Sequence, residues 1–345
     1  MRVAILGVQV PFARGGAERL VEELRHEVET AGHEADVITL PFNDVTRTAL
    51  LASCAAWRAL ELRELHDAPV DRVIATKFPS YLVSHPAKVV WLIHQYRGAY
   101  DFAGTSYTNL QPDRVTDRAA QDAIVAMDRR ALAECRAVFT ISPTVSARLR
   151  RFNGIESRPL HPPARLVDRM GEPRQGDFVL AVSRLERNKR LDLLIEAMAR
   201  TRTGVSCVIA GVGSQSEHLR FLVAEHGVES RVRFAGAVSD DELVRLYGEC
   251  RAVFFAPFEE DYGYVTLEAF GAAKPVVTAR DSGGVLEFVE DGITGLVTAP
   301  QPADVAAALD RLAEDPDLAS RLGAAGRERT RTIRWDGIVA ALLGG

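Results

Sequence analysis

The sequence has few cysteines, and their spacing does not suit a metal site or a disulfide framework. Cys54, Cys135, Cys207 and Cys250 are the four cysteines among 345 residues, and no CxxC pair occurs. Scattered cysteines of this kind predict reduced thiols in a cytoplasmic protein. The eight histidines do not complete a zinc-binding pattern either. We therefore expect neither a metal nor another cofactor.

The sequence also lacks a long hydrophobic run and a concentrated basic face. Its apolar runs have the length of strands, and its N-terminus does not develop the apolar core of a signal peptide. The formal net charge is -5, and nothing in the sequence resembles a nucleic-acid-binding protein. Four arginines lie close together in the sequence: Arg148, Arg150, Arg151 and Arg158. They would allow peripheral contact with the inner face of a membrane, and a solvated helix face is the alternative.

Short β-branched runs that alternate with amphipathic helical stretches are abundant. This pattern predicts an α/β protein with parallel sheets covered by helices. The strands predicted in the first half are RVAILG (2–7), ADVITL (35–40), DRVIAT (71–76), KVVWLIH (88–94) and AVFTIS (137–142). Those predicted in the second half are FVLAVS, SCVIAG, RVRFAG, AVFFAP, PVVTA and GLVT.

A proline-bearing break over 158–177 separates the two halves. Because 345 residues exceed the usual size of one hydrophobic core, we expect two doubly wound domains, over 1–165 and 166–330. The segment 331–345 is predicted to be a helix that packs back toward the first domain. Doubly wound sheets bind ligands outside the carboxyl ends of their strands, so the predicted site lies at the strand-to-helix loops, in a cleft between two facing sheets.

Two of these loops carry features that suit phosphate. Gly15 and Gly16, in the stretch GGAER, open a predicted helix after the first strand, where backbone N–H groups can approach an anion closely. A tight turn without a ligand is the alternative, because no GxGxxG pattern is present. In the second half, Arg184 and Lys189 lie five residues apart in SRLERNKR, and a guanidinium with an ammonium suits a diphosphate. For Arg187 and Arg190 in the same stretch, the alternative interpretation is that they are solvated side chains at the helix start.

Two acids flank a predicted helix start in the stretch EEDYGYVTLEAF. Glu260 lies just before the helix and Glu268 about one turn inside it. The N–H groups of Gly263, Tyr264 and Val265 are then available to a phosphate or a hydroxyl. Helix capping by Glu260 and a surface ion pair for Glu268 are the alternatives.

A polar and aromatic loop follows the fourth predicted strand. His94 ends that strand, and Gln95, Arg97, Tyr100 and Asp101 follow it. From the residues alone, a histidine that ends an apolar strand is more often a satisfied core residue than a functional one. The loop that follows is suited to recognising an acceptor, and we predict that role for it.

Three stretches in this order carry a resemblance to a known family. GGAER, SRLxxxKR and an E-x7-E pair that runs into LEAFGAAKPVV resemble glycosyltransferase family 4, whose members have the GT-B fold of two facing Rossmann-like domains. The resemblance covers nearly the whole chain. It implies metal-free transfer of a sugar from a nucleotide-sugar donor, with retention of anomeric configuration, to a hydroxyl of a glycan, lipid-linked or small-molecule acceptor. UDP-, GDP-, ADP- and dTDP-sugars are all candidate donors.

The resemblance also implies roles in the C-terminal domain, which would bind the donor. Arg184 and Lys189 would clamp the diphosphate in place of a divalent cation. Glu268 would hold the ribose hydroxyls, and Glu260 would face the donor sugar. The amides over 263–265 would lie beside the sugar hydroxyls and the diphosphate.

The N-terminal domain would supply the acceptor side. Gly15 and Gly16 would complete the phosphate pocket from this domain. His94 matches a family position near the reacting sugar.

Three departures from the family pattern bear on these roles. HPPARLVD stands where many members have Pro-Asn-Gly followed by an acid. The acid motif is EEDYGYVTLE where Pro-Phe-Gly is common, and the extra Glu259 leaves open which acid faces the sugar, although the spacing to Glu268 favours Glu260. Lys274 stands where glycine is usual, with no evident effect on the chemistry.

Other classes of protein share parts of this pattern. A nucleotide-sugar epimerase of related fold and a glycosyl phosphorylase can share the two-domain architecture, but the first is expected to lack the SRLxxxKR clamp and the second a nucleotide requirement. A glycoside hydrolase would place a carboxylate pair across the scissile bond, whereas Glu260 and Glu268 are better explained as donor ligands. A non-catalytic nucleotide-sugar-binding protein would bind the donor without turnover.

Overall fold

The computed structural model describes residues 1–11, 15–108, 110–174 and 176–344. The chain divides into two compact units. The first is formed by Met1–Pro162 and by the end of the chain from Arg334, and the second is Pro163–Ile333. The boundaries predicted from the sequence, after residues 165 and 330, each lie three residues from these.

The first unit is built on a six-stranded parallel sheet. Its strands are β1 (Arg2–Gln9), β2 (Glu34–Pro41), β5 (Arg72–Ala75), β6 (Lys88–Leu92), β7 (Ala137–Thr140) and β8 (Arg158–Pro159), while β3 (Glu64–Leu65) and β4 (Ala68–Pro69) form a small antiparallel pair. The order across the sheet is β2-β1-β5-β6-β7-β8, so the winding reverses between β1 and β5. β8 was not predicted, because prolines disfavour a strand assignment.

Helices from the first part of the chain cover this sheet. They are α1 (Gly16–Thr30), α2 (Arg47–Ala59), α3 (Val115–Ala133) and α4 (Pro143–Asn153). The ends of α4 follow directly from its sequence. The Ser142 side chain accepts a hydrogen bond from the Val145 N–H at 3.1 Å, Pro143 occupies the first turn, and Gly154 ends the helix in the left-handed region at φ 68°.

The second unit repeats this plan. Its strands are β9 (Phe178–Val182), β10 (Ser206–Ala210), β11 (Val232–Gly236), β12 (Ala252–Phe254), β13 (Val276–Ala279) and β14 (Gly295–Thr298). Its helices are α5 (Leu191–Met198), α6 (Ser216–Glu225), α7 (Asp240–Glu249), α8 (Tyr264–Gly271), α9 (Pro302–Glu314) and α10 (Pro316–Thr330). The parallel order is β11-β10-β9-β12-β13-β14, which reverses between β9 and β12. A reversal of this kind opens a crevice at the carboxyl ends of the two strands.

The eleven strands predicted from the sequence are all present. The central residues of the inner strands are buried on both faces, as Leu180, Ile209 and Val276 illustrate with 0% exposure, whereas the edge strands β2 and β11 are only partly buried. Continuous apolar runs are what parallel strands covered by helices require. Among the described residues, no helix combines the length and the apolar character needed to cross a membrane.

The last helix, α11 (Ile338–Gly344), packs on the first unit. The Trp335 ring meets the Trp91 ring of β6 edge to face, with 5.8 Å between centroids. The Arg72 guanidinium of β5 donates from Nη2 to the Leu343 carbonyl at 2.6 Å. Leu342 is fully buried. The end of the chain therefore contributes to the core of the first unit.

Replacement of Leu342 by alanine is expected to destabilise the first unit by about 2–4 kcal/mol, because it leaves a cavity under a fully buried side chain. All three tryptophans, Trp57, Trp91 and Trp335, lie in the first unit. Tryptophan fluorescence during urea unfolding therefore reports on that unit alone. Ala340→Ser, at an exposed position of the same helix, is the control and should unfold like the wild type. An unchanged midpoint for Leu342→Ala would show that α11 does not contribute to the core.

Candidate active site

The loops after β9 and β12 meet where the strand order of the second unit reverses. Lys189 lies in the 3-10 turn Arg187–Lys189 after β9, and Glu260 follows β12. The Lys189 Nζ donates to the Glu260 Oε2 at 2.6 Å, and the two side chains are only 13% and 17% exposed. Two predicted ligands of the donor are thus brought together and paired with each other.

The backbone of Glu260 is fixed by the loop after β13. The Glu260 N–H donates to the Ser282 carbonyl at 3.2 Å, and the Gly284 N–H donates to the Glu260 carbonyl at 2.8 Å. Between them, Gly283 has φ 59°, and a Cβ atom there would lie 2.6 Å from the Glu260 carbonyl oxygen. Glycine is therefore required at position 283 for the loop to approach Glu260 this closely.

Arg190 joins three loops of this unit. Its Nη1 and Nη2 donate to the two oxygens of Asp281 at 2.8 and 2.7 Å. Its Nε donates to the Ala256 carbonyl at 2.7 Å and its Nη2 to the Pro257 carbonyl at 3.0 Å. The interpretation of Arg190 as a solvated side chain is therefore wrong. No sequence pattern indicates this pairing, because Asp281 lies 91 residues away.

Arg184 differs from Lys189 in being exposed. It follows Ser183 directly after β9, at the same edge of the sheet. Within the described part of the chain, its guanidinium makes no hydrogen bond or ion pair. A ligand can therefore reach Arg184 without breaking an internal contact, whereas binding to Lys189 competes with its ion pair to Glu260.

The start of α8 follows Glu260 by a few residues. Gly263 is its N-cap with φ 91°, and a Cβ atom there would lie 3.1 Å from both Phe255 and Val285. This conformation favours glycine. The N–H groups of Gly263, Tyr264 and Val265 have no acceptor within the helix, and they add positive potential at this end.

Glu268 is held from inside the unit by a residue that the sequence analysis missed. The Tyr247 hydroxyl, on α7, donates to the Glu268 Oε2 at 2.8 Å. Tyr247 is fully buried, and burial together with the Glu268 carboxylate raises the pKa of its phenol well above the ordinary value. The phenol therefore remains a donor, and it orients the carboxylate that is predicted to bind the ribose.

In the first unit, the glycines after β1 adjoin a second ion pair. Gly15 is the N-cap of α1, and Gly16 is its first residue. The Gly15 N–H donates to the Glu18 Oε2 at 2.8 Å, and the Lys77 Nζ donates to the Glu18 Oε1 at 2.8 Å. Lys77, from the loop after β5, is a further cation that the sequence analysis did not identify. The phosphate role of the two glycines stays a prediction.

His94 lies two residues beyond the end of β6. It is half-buried, and its Nδ1 lies 2.8 Å from the Gln95 carbonyl oxygen. Arg97 and Asp101 form an ion pair, with 2.9 Å between Nε and Oδ2, and the Arg97 guanidinium lies 3.7 Å from the centroid of the Phe102 ring. Asp101 also pairs with Arg148 of α4, with 3.4 Å between Oδ2 and Nε. Arg148 is only 13% exposed, so the interpretation of this arginine as part of a solvated helix face is wrong.

Gln95 and Tyr100 direct their polar atoms inward. They are 6% and 7% exposed. The Gln95 Nε2 donates to the Asn153 Oδ1 at 2.8 Å, and the Tyr100 hydroxyl donates to the Asp128 Oδ2 at 2.7 Å. The sequence does not indicate that Asp128 and Asn153 contact this loop, because both lie on helices that are distant from it along the chain.

A metal site is not evident in the described ranges. They contain no group of three or more His, Cys, Asp or Glu side chains that could hold an ion. The four cysteines are free thiols.

Comparison with solved structures identifies the class of fold. Sucrose-phosphate synthase from Thermosynechococcus elongatus matches with a TM-score of 0.78 and 20% identity, over 99% of this chain and 97% of that one. HepE of Anabaena, solved with UDP-glucose, matches with a TM-score of 0.72 and 19% identity, over 100% and 98%. The chain has the GT-B fold of these proteins, and the predicted fold class is confirmed.

The second unit matches a known family. Residues 166–329 match the family described as glycosyl transferases group 1. The D-inositol 3-phosphate glycosyltransferase of Frankia alni is 35% identical over 194 residues, which is 52% of this chain and 47% of the relative. The GDP-mannose-dependent alpha-(1-6)-phosphatidylinositol monomannoside mannosyltransferase of Mycobacterium tuberculosis is 39% identical over 176 residues, 48% and 46% of the two chains. The chain spans about half the length of these curated relatives.

Replacement of Arg190 by lysine is expected to destabilise the second unit by about 2 kcal/mol. Lysine keeps the charge but loses the fork that holds Asp281 and two backbone carbonyls. Thermal unfolding followed by circular dichroism and hydrogen exchange over 256–260 measures the effect. Arg187→Lys, in the same turn but exposed, is the matched control. Equal behaviour of the two variants would contradict the role given to Arg190.

Proposed function

We propose that this chain is a retaining glycosyltransferase of family 4, which moves a sugar from a nucleotide-sugar donor to an acceptor hydroxyl without a metal ion. One observation carries the proposal. The paired Lys189 and Glu260 lie beside the start of α8, inside the segment that matches glycosyl transferases group 1. This arrangement offers cations and N–H groups to a diphosphate and a carboxylate to sugar hydroxyls.

The charge distribution suits departure of a nucleoside diphosphate. Negative charge grows on the leaving phosphate during transfer, and fixed donors stabilise it as it forms. Arg184, Lys189 and the start of α8 are such donors, and they would serve in place of a divalent cation. Arg184 is exposed, so it can close on the phosphate without giving up an internal partner.

Binding of the donor is expected to weaken the Lys189–Glu260 pair. The Lys189 ammonium has three N–H donors, but a phosphate oxygen beside it competes with the Glu260 carboxylate for its charge and for the N–H group that now points at Glu260. Once released, the Glu260 carboxylate can accept hydrogen bonds from the hydroxyls of the donor sugar. Binding of the diphosphate to Lys189 would therefore make the Glu260 carboxylate available to the donor sugar.

The names of the relatives guide the choice of donor and acceptor. The Mycobacterium tuberculosis relative is GDP-mannose-dependent by name, and HepE was solved with UDP-glucose. We therefore give priority to GDP- and UDP-sugars over ADP- and dTDP-sugars. For the acceptor we propose only the class, a hydroxyl of a glycan, a lipid-linked sugar or a small molecule, with His94 near the reacting sugar.

Nucleoside diphosphates are expected to raise the melting temperature of the wild type, because they bind the folded state. Lys189→Ala and Arg184→Ala should each weaken binding by about 10- to 100-fold, since each removes a charge-assisted contact worth about 1.5–3 kcal/mol. A thermal-shift panel of GDP, UDP, ADP and dTDP with their sugars measures this. Arg187→Ala is the control and should bind like the wild type. A panel without any shift, or full binding by Lys189→Ala, would contradict the proposed donor site.

Glu260→Gln is expected to bind the free nucleoside diphosphate several-fold more tightly, because Lys189 no longer has a competing carboxylate. The same variant should transfer sugar at least 100-fold more slowly, because a ligand of the donor sugar is impaired. Calorimetry and a transfer assay in EDTA measure the two effects. Glu259→Gln, at the neighbouring acid, is the control and should retain both properties. If Glu259→Gln lost transfer and Glu260→Gln kept it, Glu259 would be the acid that faces the sugar. If the wild type transferred sugar in the presence of magnesium but not in EDTA, the reaction would not be independent of metal.

A further inference from the structure

Helix α3 carries two buried carboxylates in opposite surroundings. Asp117 forms an ion pair with Arg47, with 2.7 Å between Nη2 and Oδ2, and this guanidinium lowers the pKa of Asp117 to about 2. Asp128, eleven residues further along the helix, is fully buried. No cation among the described residues pairs with it. Burial raises the pKa of Asp128 to about 7.

The partners of Asp128 come from the segment 94–101, which is the loop predicted to recognise the acceptor. The Tyr100 hydroxyl donates to the Asp128 Oδ2 at 2.7 Å, and the Gln95 Nε2 donates to the same oxygen at 3.3 Å. Asn153 of α4 bridges the two, accepting from Gln95 at 2.8 Å and donating to the Tyr100 hydroxyl at 3.2 Å. Asp128 therefore holds this segment near both of its ends.

The other titratable groups around Asp128 do not compensate its charge. Tyr81, Tyr100 and Cys54 face it, and burial raises the pKa of all three, so they are neutral near pH 7. Arg129, the next residue of α3, acts on the Tyr100 phenol and is exposed. The buried Tyr81 hydroxyl also faces the Asp128 carboxyl and acts on its pKa as a donor, although neither this hydroxyl nor the Asp128 Oδ1 has a partner at ordinary hydrogen-bond length in the part of the chain that the structure describes.

An unpaired carboxylate in such a position opposes folding. Its burial without a cation costs free energy that the neutral acid does not incur. Perturbed groups of this kind concentrate at functional sites, although structural networks also contain them. Here the group is joined to the one loop of the first unit that carries His94 and the predicted acceptor residues.

We propose that Asp128 is a positioning residue for the segment 94–101: its neutral form holds the segment packed, and its ionisation releases it. The assignment of this segment to the acceptor rests on the proposed function. Raising the pH favours whichever state binds fewer protons. An opened segment exposes Asp128 to water and lets it ionise at its ordinary pKa, so ionisation favours opening. Acceptor binding would then weaken as the pH rises through neutrality, while donor binding in the second unit would not change.

Hydrogen exchange of the segment 94–101 tests the proposal without any substrate. After correction for intrinsic exchange, protection in the wild type should fall about tenfold between pH 6 and pH 8. This factor follows if the carboxyl titrates near its ordinary pKa when the segment opens and near 7 when it is closed. The wild type alone is therefore a sufficient test, because protection that does not change with pH would overturn the proposal.

Asp128→Asn is the matched variant, because it keeps the shape of the neutral acid and cannot ionise. Its protection over 94–101 should be equal at the two pH values. Asp122→Asn removes an exposed carboxylate from the same helix and should keep the wild-type dependence. An Asp128→Asn protein that still loses protection at pH 8 would overturn the proposal.

Transfer kinetics distinguish this inference from the proposed function. The KM for the acceptor should rise between pH 6 and pH 8 in the wild type and stay constant in Asp128→Asn. The thermal shift produced by nucleoside diphosphate, which reports on the second unit, should be the same in both proteins. Failure of that shift in the wild type would count against the proposed function, whereas an acceptor KM with the same pH dependence in both proteins would count against the role of Asp128.

Discussion

The guanidinium of Arg190 is the contact on which the candidate donor site depends. It holds Asp281 and two backbone carbonyls after β12, so one planar group fixes three loops at the carboxyl edge of the sheet. Its neighbour Lys189 is thereby placed against Glu260. Arg190, which does not itself face the ligand position, thus fixes the places of the charged residues that do, Lys189 and Glu260. The Arg190 side chain is 12% exposed, a setting in which hydrogen bonds to an ion are stronger than in water.

Both units keep a lysine at the carboxyl edge of their sheet paired with a carboxylate. Lys77 lies 2.8 Å from Glu18, and Lys189 lies 2.6 Å from Glu260. An unpaired ammonium at these sparsely exposed positions would oppose folding and attract any anion. Pairing avoids both effects. A phosphate that bound at either position would form its contacts at the expense of the ion pair. Binding there would therefore favour ligands that also engage the released carboxylate.

The sequence predicts those features whose causes are local. The strands follow from apolar runs of strand length, and α4 is delimited by Ser142 and Gly154 within one short stretch. The motifs likewise place Lys189 and Glu260 in strand-to-helix loops of one sheet, but that their strands are neighbours follows only from the structure. Pairings between distant segments could not be predicted. The Arg190 contact with Asp281 and the donors around Asp128 depend on three-dimensional packing, and an arginine at a helix start looks the same in sequence whether it is solvated or buried.

The buried lysines and the buried carboxylate Asp128 are stabilised in different ways. Lys88 donates to two backbone carbonyls at 2.9 and 2.8 Å, and Lys274 donates to the Arg174 carbonyl. Lys274, which stands where glycine is usual in the family, thus ties the segment before β9 to the turn after α8. Burial lowers the pKa of both lysines, but carbonyl dipoles favour their charged forms. Among the described residues, Asp128 is surrounded by neutral donors only, from Tyr100, Gln95 and Tyr81, while burial raises its pKa to about 7. Its charged and neutral forms are therefore close in free energy at neutral pH, and a small change in its surroundings is enough to move its proton.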